Sequence, residues 1–197
     1  MNARGAEVQM TEAEYLASER AAQMRHEFHD GRVYAMAGAT EAHVLIAANM
    51  TGELRSALRD RPCRVYSSDM KVKIESAGLY TYPDVTVACG DRRFVDERKD
   101  TLLNPAVVIE VLSESTESYD RGQKFEWYRT VPSITDVLLV SQDRPIVEQY
   151  TRQADGTWVL HELRIADTLV IASLDCRVPV AEVYLKVFPE SETQPAP

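Results

Sequence analysis

The spacing of apolar and polar residues along the chain predicts helices at four places. Residues 11–14, Thr-Glu-Ala-Glu, form a capping-box pattern that favours a helix running to about residue 22. Thr40 is placed to cap a second helix over about residues 41–58. A third helix is predicted over about residues 119–130 and a short one over about residues 180–187.

Alternating and continuous apolar runs predict the strands. Asp30-Gly31 and Asp155-Gly156 each lie between two strand-like segments, and an Asp-Gly pair in that setting is a strong β-hairpin signal. The first hairpin is predicted to span about residues 26–36. The other predicted strands are about residues 64–74, 82–88, 107–113, 134–140, 146–152, 158–163 and 168–173.

The order of these elements predicts one α/β domain with a mixed central sheet. The order is helix, hairpin, helix, three strands, helix and strand, followed by a C-terminal β extension. The domain is predicted to cover residues 11–187, between disordered arms at 1–10 and 188–197. A chain of this length fits a single domain that buries about two-thirds of its surface.

The strand predicted at residues 107–113 contains a carboxylate, Glu110, within an apolar run. A buried carboxylate costs several kcal/mol unless it is paired, protonated or bound to a cation. The strand before it along the chain begins with another acid, Asp84. Because consecutive strands are usually neighbours, the two carboxylates are expected to converge and to hold Mg²⁺ or Mn²⁺. The alternatives are a loop-capping role for Asp84 and an Arg or Lys partner for Glu110.

Lys124 lies on the predicted helix that follows, on one face with Asp120 and Tyr128 at four-residue spacing. Its long side chain could reach back to Glu110, where an ammonium would position an attacking water and stabilise the charge that develops on phosphate. The alternative is a surface salt bridge with Asp120, a common pair that contributes little to stability.

Three further residues are weaker candidates for the same site. Glu27 opens the first hairpin and could add a third carboxylate, or it could be an exposed charge at a strand end. His43 could contact phosphate or a site carboxylate, or it could have no catalytic part. Asp69 could hold a metal-binding side chain in position without binding the metal itself, or it could pair with Lys71 at the surface.

Charge and cysteine content limit the classes of function. The formal net charge of −9 argues against a protein that coats nucleic acid, because phosphate binding depends on Lys and Arg. It does not exclude an enzyme whose acids hold a metal cation. The three cysteines, Cys63, Cys89 and Cys176, match no metal-ligand pattern and are predicted to be reduced thiols. With no long apolar run, a cytoplasmic protein without a membrane span is expected.

The sequence resembles the Uma2 (DUF820) family of restriction-endonuclease-like proteins. The segments that match that family occur in one order, at residues 26–31, 36–38, 41–43, 65–72, 82–85, 108–116 and 120–125. The resemblance implies the αβββαβ core of the PD-(D/E)XK nucleases and Mg²⁺-dependent phosphodiester hydrolysis. In that pattern Asp84 matches the first acid and Glu110 the second. The lysine expected two residues after Glu110 is Leu112 here, and Lys124 stands where a lysine displaced to the next helix would be needed.

Three functional hypotheses follow. The first is a metal-dependent endonuclease in which Asp84 and Glu110 bind the metal, Lys124 assists the attacking water and Glu27 adds an acid. Its substrate would be DNA, with RNA as the alternative. The second is a catalytically silent module that binds a partner or dimerises, and the third is a small-molecule phosphoesterase. By analogy with nucleases that cut two strands, a homodimer is expected, with residues 144–173 as a candidate interface.

Overall fold

The computed structural model describes residues 9–36 and 38–189. Most of the two arms predicted at 1–10 and 188–197 therefore lies outside the described residues. The helices are α1 Glu12–Glu19, α2 Glu41–Ala57, α3 Glu117–Tyr119, α4 Phe125–Tyr128 and α5 Val180–Val183, and a π-helical turn, Asp120–Lys124, joins α3 to α4. The strands are β1 His26–His29, β2 Arg32–Ala35, β3 Cys63–Ser67, β4 Lys71–Ile74, β5 Leu79–Thr81, β6 Val85–Cys89, β7 Thr101–Leu102, β8 Val107–Leu112, β9 Asp136–Ser141, β10 Ile146–Arg152, β11 Trp158–Arg164, β12 Thr168–Ile171 and β13 Cys176–Pro179.

The main sheet has six strands in the order β11-β10-β9-β8-β6-β3. It is mixed, because β8 and β9 run parallel whereas its other neighbouring strands are antiparallel. A second sheet has the order β2-β1-β5-β4-β7, and β12 pairs with β13 separately. The predicted α/β architecture with a mixed sheet, flanking helices and a C-terminal β extension is confirmed.

Strand β8 lies at the centre of the fold, and all six of its residues are buried. Its odd-numbered residues join the core cluster that includes Ile46, Met50 and Leu54 of α2. Val108 and Leu112 join a second cluster, with residues of β4, β5 and the helix ending at Tyr128. Because successive strand residues point to opposite faces, Glu110 lies on the side of this second cluster.

The predicted helix starts and the first hairpin are confirmed. Thr11 and Glu14 form the reciprocal capping box of α1. The Thr40 hydroxyl accepts the His43 backbone N–H at the start of α2. Asp30 and Gly31 both have positive φ, 47° and 82°, in the turn between β1 and β2. The local signals that favoured these elements therefore agree with the tertiary structure.

The single strand predicted at residues 64–74 is wrong. The segment forms β3 and β4, which belong to different sheets, and a turn closed by the Met70 N–H and the Ser67 carbonyl separates them. Ser67, Ser68 and Asp69 are three polar residues in a row, and the prediction included them in one strand rather than in a turn. Strand β13 was not predicted either, although it covers residues that the sequence left between a strand and a helix.

Two of the three cysteines form a disulfide, which corrects the prediction of three reduced thiols. Cys63 and Cys89 lie directly opposite each other on the antiparallel pair β3–β6, and their sulfur atoms are 2.00 Å apart. They are 26 residues apart in sequence, so their spacing did not suggest contact. Cys176 is a buried free thiol. Among the described residues, no helix is both long enough and apolar enough to cross a membrane.

Candidate active site

Asp84 and Glu110 lie opposite each other on neighbouring strands. Strands β6 and β8 are antiparallel, with Val85 paired to Ile109, and extending this register by one residue places Asp84 across from Glu110. Directly opposed residues of an antiparallel pair share a face and have Cβ atoms about 4.5–5.5 Å apart. The predicted convergence of two acids from consecutive core strands is therefore present in the fold.

The Asp84 carboxylate is held from two sides. Its Oδ2 accepts the Val111 backbone N–H at 2.7 Å, and its Oδ1 lies 2.9 Å from His43 Nε2. The hydrogen bond to Asp84 raises the pKa of His43 above its ordinary value, although burial opposes this. The first turn of α2 thus brings an imidazole to the acid, and the weaker candidate His43 touches Asp84 directly.

Glu110 is almost completely buried, with 3% of its surface exposed. Its Oε1 accepts hydrogen bonds from Lys124 Nζ at 3.1 Å and from Tyr128 Oη at 2.5 Å. Burial raises the pKa of Glu110 to about 8, and the negative charges of Asp120 and Asp84 act in the same direction while Lys124 opposes them. Near neutral pH this carboxyl group can therefore hold a proton. A second cation bound beside it would favour loss of that proton.

Lys124 forms the centre of the cluster. Its ammonium lies 3.1 Å from Glu110 Oε1, 3.1 Å from Glu27 Oε1 and 3.4 Å from Asp120 Oδ1. Burial disfavours the ammonium, but the carboxylates of Glu110, Glu27 and Asp120 outweigh it and raise the pKa of Lys124 well above its ordinary value. Lys124 therefore stays protonated, and the alternative of a surface salt bridge is wrong for this buried side chain.

Asp120 and Lys124 lie in the π-helical turn, and both point inward. The turn spans these two residues, and both are buried, with 3% and 5% of their surfaces exposed. A π turn widens the helix locally and is frequent at functional sites. Burial raises the pKa of Asp120. The sequence had placed Asp120, Lys124 and Tyr128 on one helix face, but it gave Asp120 and Tyr128 no role in the site.

Glu27 joins the cluster and Asp69 does not. Glu27 lies on β1, contacts Lys124, and accepts a hydrogen bond from the Thr81 hydroxyl on the neighbouring strand β5. Asp69 lies in the turn between β3 and β4 with 82% of its side chain exposed, and its carboxylate contacts Arg25 Nε at 3.4 Å. The structure therefore brings together Glu27, Asp84, Glu110 and Lys124, with His43 beside Asp84.

The oxygen donors of the site fit a divalent cation held by two carboxylates. Among the described residues, no three His, Cys, Asp or Glu side chains form a metal-binding group. Mg²⁺ needs only one or two carboxylates when water and substrate phosphate complete its shell. The hydrogen bonds from Lys124 and Tyr128 to Glu110 both end on Oε1, and each oxygen of Asp84 accepts one hydrogen bond and keeps a second lone pair. The two carboxylates therefore keep oxygen lone pairs that could bind a cation.

Thr86 gives an independent sign of a polar space beside these acids. Within the described part of the chain, its Oγ1 is the one buried side-chain oxygen or nitrogen that has no hydrogen-bond partner. Thr86 lies two residues after Asp84 along the same chain direction, and therefore on the same face of the sheet. Buried polar atoms nearly always have a partner, so a small polar species is expected next to this hydroxyl.

Comparison with known proteins decides the family. The sequence profile of the Uma2 family, described as "Putative restriction endonuclease", matches residues 12–180. The chain belongs to the Uma2 family. This match covers all the residues of the cluster, from Glu27 to Tyr128.

Relatives of this Uma2 protein share its length as well as its sequence. The uncharacterized protein slr1290 of Synechocystis is 36% identical over 173 residues, which cover 87% of this chain and 89% of that protein. The uncharacterized protein sll1609 of the same organism is 36% identical over 154 residues, covering 78% and 87% of the two chains. A crystal structure of a "putative nuclease belonging to DUF820" from Anabaena variabilis has a TM-score of 0.73 at 15% identity and covers 91% of this chain and 99% of its own. At that identity the likeness shows the fold, which is the nuclease-like fold that the resemblance implied.

Proposed function

We propose that this Uma2 protein is a metal-dependent endonuclease that hydrolyses phosphodiester bonds in DNA. The observation that carries the proposal is the opposition of Asp84 and Glu110 on neighbouring strands, with Lys124 Nζ 3.1 Å from Glu110 Oε1. Two acids and one ammonium at one place are the groups that hydrolysis of a phosphodiester requires. RNA is the alternative substrate.

Each residue of the cluster has a separate part in this proposal. Asp84 and Glu110 would hold Mg²⁺ or Mn²⁺, which neutralises phosphate charge and lowers the pKa of an attacking water when it is bound. Lys124, which stays protonated, places its positive charge beside the two acids, and this charge would assist the attacking water and stabilise the extra negative charge of the transition state. Glu27 and Asp120 orient the ammonium, and His43 orients Asp84.

The position of Leu112 supports the displaced-lysine interpretation. Leu112 is 4% exposed and packs in the apolar cluster on the same face of β8 as Glu110. A lysine there would project from the same strand, whereas Lys124 reaches the same carboxylate from the π-helical turn. The ammonium is therefore supplied from a helix rather than from the strand.

A plasmid-cleavage assay tests the proposal. We expect the wild-type protein to nick or linearise supercoiled plasmid in Mg²⁺ or Mn²⁺, and Asp84→Asn to lose at least about 100-fold in rate, because even groups that only support a metal ligand contribute 10- to 100-fold. Asp69→Asn is the matched control, since Asp69 is an exposed acid outside the cluster. Equal rates for wild type and Asp84→Asn would refute the assignment of the site.

A second candidate function is a silent binding module with the nuclease fold. It is favoured by the contact of Lys124 with Glu110, Glu27 and Asp120, because an ammonium already compensates the carboxylates without a metal. Absence of cleavage by the wild type over a broad range of metals and substrates, together with no binding of Mn²⁺, would favour this function over the first.

We also propose a homodimer formed through the C-terminal β extension. Strand β11 is an edge strand of the main sheet, and Leu160 on it is 48% exposed. An edge strand with apolar side chains is a template for pairing with a second copy. Sedimentation equilibrium of the wild type should give twice the monomer mass, and Leu160→Lys should restore the monomer. A monomeric wild type at all concentrations would refute the dimer.

A further inference from the structure

Three arginines line one surface pocket away from the carboxylate cluster. The pocket has a volume of about 550 Å³, and we call it the arginine pocket. Arg55 lies in the last turn of α2, Arg59 follows the end of that helix, and Arg64 lies on the edge strand β3. All three residues are exposed. Two elements of the fold thus direct three positive charges to one place.

These three guanidinium groups have no acidic partner among the described residues. Arg64 donates only to the neighbouring Cys63 carbonyl, at 3.1 Å. Arg20, by contrast, pairs closely with Asp100, at 2.7 Å. The chain has 31 acidic residues against 22 lysines and arginines, so three arginines around one pocket form a local excess of positive charge. They leave many N–H donors available to a ligand.

Attraction to the helix dipole explains only part of this arrangement. A cation in the last turn of α2 is favoured by the negative end of the helix, and this accounts for Arg55. It does not account for Arg64, which projects from a β-strand. Guanidinium groups bind phosphate through paired hydrogen bonds, so a set of three matches a ligand with several phosphate oxygens.

The arginine pocket lies at a fixed distance from the carboxylate cluster. His43 and Arg55 are on the same helix, and twelve residues at 1.5 Å each separate them by about 18 Å. Along β3, Ser67 pairs with Val85, next to Asp84, and Arg64 pairs with Ala88, so Arg64 lies about 13 Å from the level of Asp84. A duplex rises 3.4 Å per nucleotide, and these distances correspond to about four to five base pairs.

We infer that the arginine pocket binds backbone phosphates of the nucleic acid, about four to five nucleotides from the bond that is cleaved. The inference rests on the proposed function and names a binding site for its substrate outside the catalytic cluster. It also gives a chain with a net charge of −9 a local group of positive charges that a polyanion can contact.

The test is the salt dependence of nucleic-acid binding without metal. The probes are a fluorescent 20-base-pair DNA duplex and a single-stranded RNA of 20 nucleotides, titrated in EDTA from 50 to 200 mM salt with the full-length chain. The test variant is Arg55→Gln/Arg59→Gln. The matched control is Arg98→Gln/Lys99→Gln, which removes the same charge from two exposed residues in the loop between β6 and β7. Circular dichroism checks that all variants fold.

The expected result is a change in slope that only the pocket variant shows. Loss of two phosphate contacts lowers the slope of log K against log salt by about 1.8 on duplex DNA, or about 1.4 on a single strand. When salt rises from 50 to 200 mM, the affinity of the wild type for the duplex should therefore fall by a factor about ten times larger than the affinity of the variant does. A slope change on one probe and none on the other indicates which nucleic acid is held.

Two results would overturn the inference. One is a wild type that binds neither probe at 50 mM salt. The other is a slope that is the same for the pocket variant and the wild type, or that changes equally in the control variant. Plasmid cleavage by wild type and Asp84→Asn, measured in parallel, keeps the two proposals separate, because cleavage with an unchanged slope refutes the arginine pocket alone.

Discussion

Replacement of Lys124 by methionine removes the one cation from the carboxylate cluster while keeping much of the side-chain volume. Its ammonium lies within 3.4 Å of oxygens of Glu110, Glu27 and Asp120. At an effective dielectric constant of about 20, a single ion pair at this distance is worth about 5 kcal/mol before the cost of burying the ammonium is subtracted. Removal of one partner of a buried pair costs about 3–5 kcal/mol, so Lys124→Met should lower the free energy of unfolding by that amount at pH 8.

The loss of unfolding free energy in Lys124→Met should depend on pH in a defined direction. Burial raises the pKa of Glu110 from 4.5 to about 8 in the folded protein, and removal of Lys124 raises it further. A carboxyl group with a raised folded-state pKa destabilises the fold as pH rises from its unfolded value through its folded value. Below about pH 8 Glu110 is protonated in both folded proteins, so the part of the deficit of Lys124→Met that Glu110 causes grows only as pH rises above about 8.

Urea unfolding in EDTA at pH 8 and at pH 9.5 measures both effects. Lys73→Met is the control, because Lys73 Nζ also lies close to a carboxylate, 2.6 Å from Glu12 Oε2, but that carboxylate is 46% exposed. An exposed pair of this kind is worth at most about 1 kcal/mol. A loss for Lys124→Met that is no larger than the control loss, or that is the same at the two pH values, would refute the central role of the buried ammonium.

Three more results are expected in metal-free solution. Tyr128→Phe removes the hydroxyl that donates to Glu110 Oε1 and should cost about 1–3 kcal/mol in urea unfolding; no change would mean that the bond is absent in solution. The His43 pKa should lie above 6.5 by NMR titration and fall in Asp84→Asn, because the acid favours the imidazolium; stability from this pair is present below pH 6.5 and lost as pH rises through the folded-state pKa. Alkylation in urea without reductant should modify one cysteine, Cys176, whereas three modified cysteines would contradict the disulfide.

Local signals in the sequence predicted most elements of the fold, since caps, Asp-Gly turns and apolar periodicity act over a few residues. These local signals did not predict which sheet each strand joins. Residues 64–74 are predicted as one strand, yet the chain turns after Ser67 and enters another sheet. The contact of Cys63 with Cys89 likewise depends on the register of β3 and β6, and register is a property of the assembled sheet.

The carboxylate cluster was predictable in its main members because a carboxylate in an apolar strand needs compensation. That argument led to Asp84 and Glu110, and the helix-face spacing led to Lys124. Asp120 was not recognised because an acid four residues before a lysine is usually a surface pair. Its burial depends on how the turn that carries it packs in the assembled fold, which the spacing of residue types does not predict.

Calorimetric titration with Mn²⁺ tests the central claim, that Asp84 and Glu110 together hold a divalent cation. The wild type is predicted to bind one Mn²⁺ per chain, Asp84→Asn and Glu110→Gln to lose that binding, and the control Asp69→Asn to keep it, because Asp69 lies outside the cluster. Binding that is the same in all four proteins, or absent from the wild type, would contradict the account.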